Sequence, residues 1–209
     1  MQRLIEGLHK FQNDELGQYQ DLFHRLSVEG QNPHTLFITC SDSRVLAELI
    51  TQSQPGDLFV VKNMGNIVPP ADPRYRNSTA AAIEFAVNTL EVKDIVVCGH
   101  SQCGAMQALL EGLPNEGKDQ PHLQQWLEVV GPVKKLIQQN YSHLADRDLL
   151  ATAAAQENVL YALENLHTYP VVVERLAAGK LRLHGWFFKI ATAQIFAYDA
   201  VSQQFLSIK

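Results

Sequence analysis

The chain has 209 residues, 46% of them hydrophobic and 19% charged, and a formal net charge of −5. That balance excludes a disordered polymer, and the length suits a single domain with a sizeable core. No basic run occurs and no apolar run approaches the ~18 residues of a membrane span, so neither a nucleic-acid partner nor a membrane is expected.

The opening "MQRLIEGLHKFQ" interleaves charged and apolar residues, unlike a signal peptide, and a soluble cytoplasmic protein is the expectation. Leu4, Ile5, Leu8 and Phe11 fall at helical spacing, and Leu16, Tyr19, Leu22, Phe23 and Leu26 resume it after a break. "TLFITCS" (Thr35–Ser41) reads as a short buried strand. "DLFVVK" (Asp57–Lys62), after a Pro55-Gly56 turn, reads as a second. "NSTAAAIEFAVNTLEV" (Asn77–Val92) opens with capping residues and predicts a helix. "DIVVCGH" (Asp94–His100) is a third strand, with a helix from about Gly104 to Leu110 after it. Helices are expected around Leu123–Gln139 and Asp148–Leu166, then strands at Leu181–Phe188 and Ala193–Asp199. Strands apolar on both faces and separated by helices predict an α/β fold with a mostly parallel central sheet covered on both sides.

Three cysteines, Cys40, Cys98 and Cys103, make a small odd set without a secretory signal. A disulfide framework is therefore not expected, which leaves burial, nucleophilic catalysis or metal binding. Cys98 follows Val96 and Val97 and reads as core. Cys40 stands at the end of the first strand in "TCSDSRV", while His100 and Cys103 stand at the end of the third in "CGHSQCG". Ligands in open α/β sheets bind beyond the carboxyl ends of the strands, so these two segments are expected to converge. Two thiolates and an imidazole are a favourable set for zinc, and the fourth position is left to Asp42 or to a water.

"CSDSRV" followed by "HSQCG" resembles the β-class carbonic anhydrases. "GDLFVVKNMGN", "STAAAIEFAV" and "LHGWFF" extend the likeness from about Gln31 to Tyr198. The N-terminal "MQRLIEGLHKF" is similar to the plant and cyanobacterial branch. The resemblance implies a single domain over 1–209, with a helical arm over 1–30 and a catalytic core over 31–209. It implies zinc-dependent reversible hydration of carbon dioxide to bicarbonate, by zinc-hydroxide attack, with one Zn2+ per subunit. Cys40, His100 and Cys103 are then the permanent ligands. Asp42 either takes the fourth position or swings to Arg44, whose guanidinium offers a bidentate partner. Gln31, Phe59, Phe85 and the backbone N–H of Gly104 are the implied substrate-pocket groups, although Gln31 also reads as a solvated loop residue and Phe85 as a core aromatic. Phe85 stands where that branch usually has a tyrosine. The implied pocket forms between two subunits, so a homodimer or a multiple of it is expected. Carboxysome association is open, with the end at Lys209 favouring a free enzyme.

Some members have a regulatory bicarbonate site near a tryptophan and an arginine. Phe37 and Lys62 stand at those positions here, so that regulation is expected to be absent. Met64 replaces a usual alanine or valine, and the loop Pro69–Thr79, with Arg74, Tyr75 and Arg76, replaces a glycine-rich stretch and is expected to stand in solvent. His34 is a weak candidate proton shuttle, and His184 reads as structural. Two rival readings exist. A non-catalytic, zinc-stabilised scaffold would keep Cys40, His100 and Cys103 but would have no need of an Asp42–Arg44 pair. A Cys40 nucleophile would need a longer glycine-bearing anion loop and would leave His100 and Cys103 unexplained.

Overall fold

In the computed structural model, which describes residues 1–72, 74 and 76–208, alternation along the strands builds the sheet. In β1 (Thr35–Cys40), Leu36 and Ile38 join Ile95 and Val97 of β3 (Asp94–His100) on one face. Phe37 joins Val96 and Cys98 on the other. With β2 (Leu58–Asn63), β4 (Arg182–Lys189), β5 (Gln194–Asp199) and β6 (Gln204–Ser207) they form one sheet of order β2-β1-β3-β4-β5-β6. The first four strands run parallel and the last two antiparallel. β6 is a four-residue edge that the sequence reading did not include.

Before the sheet come α1 (Gln2–Lys10), a π-helical turn (Phe11–Glu15) and α2 (Leu16–Glu29). This is the expected helical arm, and none of its residues is buried. Leu4, Leu8 and Phe23 stand exposed along it. A short helix, α3 (Ala47–Thr51), follows β1. In α4 (Ser78–Asn88) the cap is as expected, with the side-chain oxygen of Asn77 accepting from the Ala80 N–H. The helix stops before the expected Val92, and the backbone turns left-handed at Glu91.

After β3 come α5 (Gly104–Glu111), α6 (Pro121–Glu128), α7 (Gly131–Asn140), α8 (Arg147–Leu166) and α9 (Pro170–Ala177). The single helix expected over Leu123–Gln139 is thus two. Pro132 lacks an N–H and cannot continue a helix, but it fits the first turn of a new one. Pro170 acts in the same way and starts α9, which the sequence reading left out.

Helices flank both faces of the sheet, as expected, though unequally. α4, α8 and α9 pack on the first face, around Ile83, Val159 and Val172. On the second face, among the described residues, α3 and the turn at Ile190 pack around Phe37 and Phe188. α8 lies close on β3 because Gly99 has no side chain there. A Cβ at Gly99 would meet Val159 at 2.8 Å and the Ala155 carbonyl at 3.1 Å.

α8 and the turn after it also hold the strap that follows β2. Asn165 donates to the Val68 carbonyl at 2.8 Å, Tyr169 donates to that of Pro69 at 2.8 Å, and Thr168 accepts from the Ala71 N–H. Further along this loop Arg74 and Arg76 are exposed, as expected. Tyr75 lies outside the described residues.

Candidate metal centre

Parallel pairing of β1 with β3 sets Thr39 beside Cys98, so the ends of the two strands lie side by side. Cys40 closes β1, His100 closes β3, and Cys103 precedes α5. The two sulfurs and one imidazole nitrogen lie within 4.8 Å of one another, and all three residues are buried. Cys98, by contrast, points its thiol away from this cluster. Burial raises that thiol to about 12, as a core cysteine requires.

The donor set fits a divalent ion. His100 hydrogen-bonds the Ser101 carbonyl through Nδ1 at 2.8 Å, which makes Nδ1 the protonated nitrogen. Its Nε2 is buried and has no hydrogen-bond partner, an arrangement that costs stability unless a cation takes the lone pair. The two thiols are coupled. Cys40 is pulled well below its usual value, chiefly by a hydrogen bond from Cys103. Burial opposes this, while His100 and the backbone at Asp42 and Gly65 add to it. Cys103 is pushed up, first by the same bond and then by burial. Bonds of about 2.0–2.3 Å to zinc span a cluster of this size.

Asp42, beside these candidate ligands, is bonded to Arg44. Its Oδ1 accepts from the backbone N–H and the Nε–H of Arg44, both at 2.9 Å, and its Oδ2 accepts from Nη2 at 2.7 Å. The same fork holds the Asp42 carboxyl well below the usual carboxylate range. Asp42 Oδ2 is 3.9 Å from His100 Nε2, too long for a hydrogen bond. The guanidinium is anchored from a second side by Gln102, whose carbonyl accepts from Nη2 at 3.2 Å and whose side-chain oxygen is 3.4 Å from Nη1. Gln102 adopts a left-handed φ of 56°, which turns that carbonyl toward Arg44. Sequence reasoning missed this residue, although it sits inside the quoted "HSQCG".

Lys62 also braces the loop, donating to the Val45 carbonyl at 2.7 Å and the Asp42 carbonyl at 3.3 Å. Gly65, another residue passed over, donates its N–H to Cys40 Sγ at 3.3 Å. Its left-handed φ of 76° and the closeness of Ala105 and Met106 exclude a side chain. The glycine in "KNMGN" was the available signal. Asn158 of α8, almost wholly buried, holds the Gly65 carbonyl at 2.8 Å. Nothing in the alanine-rich pattern of α8 singled it out.

The expected pocket residues divide. Gly104 opens the first turn of α5 beside Cys103, and a Cβ there would meet nothing within 4 Å, so small molecules have room. Gln31, Phe59 and Phe85 are not with the metal ligands of their own chain. Gln31 lines a groove with Leu26, Pro55 and Asp57, before β1 begins, whereas Cys40 ends that strand about 17 Å further on. Phe59 pairs with Leu36 near the start of β1 and packs its ring at a tilt against that of Phe85, with ring centroids 5.8 Å apart. Phe85 is 42% exposed, so it is not the core aromatic of the alternative reading. His34 also sits at the far end of β1, bonded to Thr35, and so is not near the cluster of its own chain. His184 hydrogen-bonds Asp94 at 2.8 Å, the structural role expected of it.

Comparison with known proteins gives the family. The model of the carbonic anhydrase family matches residues 35–195. A carbonic anhydrase of Synechocystis sp. is 47% identical over 207 residues, 99% of this chain and 74% of that protein. The solved structure of the β-carbonic anhydrase CcaA superposes with a TM-score of 0.94 at 46% identity, covering 100% of this chain and 99% of that one. One of two tetrameric β-carbonic anhydrases from the filamentous ascomycete Sordaria macrospora superposes with a TM-score of 0.82 at 33% identity, covering 94% and 95%. The chain belongs to the β-class carbonic anhydrases and is an enzyme of that class.

Proposed function

We propose that this enzyme reversibly hydrates carbon dioxide to bicarbonate and a proton, with one zinc ion per subunit held by Cys40, His100 and Cys103. The observation that carries the reading is the buried, unpartnered Nε2 of His100 beside two coupled thiols, at the mouth of a sheet of this family. Bound zinc supplies Lewis acidity and acidifies a coordinated water. The chain's own groups supply the rest. Arg44 keeps the Asp42 carboxylate engaged, so that it would not compete with solvent for a bound zinc. Held in this way, Asp42 retains lone pairs able to accept a hydrogen bond and orient the reacting oxygen. Gly104 gives a backbone N–H and open space next to the ligands for a substrate oxygen.

Gln31, Phe59 and Phe85 complete the pocket of a second subunit. Their distance from the cluster of their own chain, the exposed Phe85 ring and the unburied apolar side chains of α1 and α2 all support a two-fold assembly in which each chain walls its partner's site. A homodimer, or a multiple of it, is the proposed unit, free in the cytoplasm or packed in a carboxysome. Among the described residues no helix is long and apolar enough to cross a membrane.

Stopped-flow hydration of carbon dioxide, on protein with its zinc content measured, tests this reading. Rapid turnover that is lost on chelation is expected. A zinc-replete protein with no activity above background would instead favour the scaffold reading, and active metal-free protein would favour thiol chemistry.

A further inference from the structure

The peptide unit joining Met64 to Gly65 is gripped at both ends. Its N–H, on Gly65, donates to Cys40 Sγ at 3.3 Å. Its carbonyl, on Met64, accepts from the indole Nε1–H of Trp126 at 2.8 Å. A trans peptide is planar, with its C=O and N–H pointing in opposite directions, so the two bonds lie roughly in line. Trp126 sits on α6, 62 residues from Met64, and no other residue of α6 touches the ligand cluster by a hydrogen bond among the described residues. The next peptide is fixed as well, with its Gly65 carbonyl accepting from the buried side-chain amide of Asn158 at 2.8 Å. The chain is thus pinned on both sides of Gly65, whose backbone is left-handed with a φ of 76°.

From this we infer that Trp126, with Asn158, is a positioning residue for the metal centre, holding the Gly65 N–H on the Cys40 sulfur and so setting how strongly that thiolate donates to the metal. The inference rests on the zinc reading given above. Hydrogen bonds in a chain polarise one another, so an indole N–H on the Met64 carbonyl strengthens the Gly65 N–H as a donor. An N–H donated to a thiolate withdraws charge from sulfur and lowers its donor power, and outer partners of this kind commonly matter 10–100-fold for metal sites (an order-of-magnitude range). The relay also lets α6, an element outside the sheet, sense and influence the centre.

Cobalt(II) replacing zinc reports sulfur donation directly through its thiolate-to-metal charge-transfer absorption. Trp126→Phe keeps the ring and removes the N–H. It is expected to move that band to longer wavelength, because the sulfur then donates more strongly, and to change zinc affinity about 10-fold, the low end of the range for outer partners. Trp126→His, which restores a ring N–H, is expected to move the band back. Asn158→Ser, acting from the other side of Gly65, is expected to shift it in the same direction as Trp126→Phe. An unchanged band and zinc affinity in folded Trp126→Phe would overturn the inference and leave the zinc reading standing. If Trp126→Phe fails to fold, an unshifted band in Asn158→Ser would overturn it equally. A wild-type chain that takes up neither cobalt nor zinc would sink both.

Discussion

Arg44 holds Asp42 by three hydrogen bonds, one from its backbone and two from its guanidinium, which leaves the carboxylate Oδ2 3.9 Å from His100 Nε2. Because the Gln102 carbonyl grips the same guanidinium, the fork is held from both sides. Arg44→Lys keeps the charge but not the planar fork. Its hydration rate is expected to fall about 10- to 100-fold, the usual cost of losing a partner just outside a metal's ligands. Stopped-flow measurement checks this, and a rate equal to wild type would contradict it.

Removal of the metal is expected to do more than abolish activity. It leaves His100 Nε2 buried and unpartnered, beside two thiols that must then share protons. Ligand binding at about 1,000 times the Kd stabilises a fold by about 4 kcal/mol, so stripped protein should unfold at a clearly lower temperature and recover on adding zinc. Cys40→Ser and Cys103→Ser should lose metal, whereas Cys98→Ser should keep it. Calorimetry and metal analysis of the three variants separate these outcomes.

If each chain walls its partner's site, two dead variants should rescue each other. Cys40→Ser loses its own metal but still offers Gln31. Gln31→Ala keeps its metal but offers no glutamine. Hybrid dimers assembled from the two chains are expected to contain one intact site and to exceed the activity of either parent. A hybrid no better than its parents would argue against a shared pocket, and a Gln31→Ala homodimer as active as wild type would place Gln31 outside the reaction.

Far from the centre, Asp94 gives a clean acid prediction. Burial tends to raise its pKa, but hydrogen bonds from Arg182 and His184 outweigh that and leave it lowered. A carboxyl with a lowered folded pKa contributes stability that is fully present above its unfolded value and is lost as pH falls through the folded one. The stability gap between wild type and Asp94→Asn should therefore be present at about pH 5 and close below about 4, where carboxyls protonate. Denaturation midpoints measured across that range decide the matter.

Lys62 is occupied by the Val45 and Asp42 carbonyls, and Phe37 is buried against Trp186 with ring centroids 5.9 Å apart. Neither offers a planar cationic fork to an anion. Added bicarbonate is therefore expected to inhibit only as a product, along a simple saturation curve, and a cooperative collapse of activity would refute this.

The sequence by itself determined the chemistry of the centre. "CSDSR" and "HSQCG" supply the three candidate metal ligands, the Asp42–Arg44 pair and the ends of the strands that carry them, because short apolar runs and fixed spacing are local properties of the chain. The strands β1 to β5 were legible for the same reason, within a residue or two at their ends. The helix break at Gly131-Pro132 was legible in principle and was passed over, whereas β6 has no strong pattern because an exposed edge needs none. Only the tertiary structure decided which distant groups meet. Asn158 and Trp126 reach the strap after β2 across more than sixty residues of sequence, and no local signal marks a side chain whose partner is a backbone carbonyl. Likewise, Gln31, Phe59 and Phe85 are placed by the parallel register of β1 and β2 at the opposite end of the strand from Cys40. A strand's length separates them from their own metal ligands, and that separation is a property of the folded sheet.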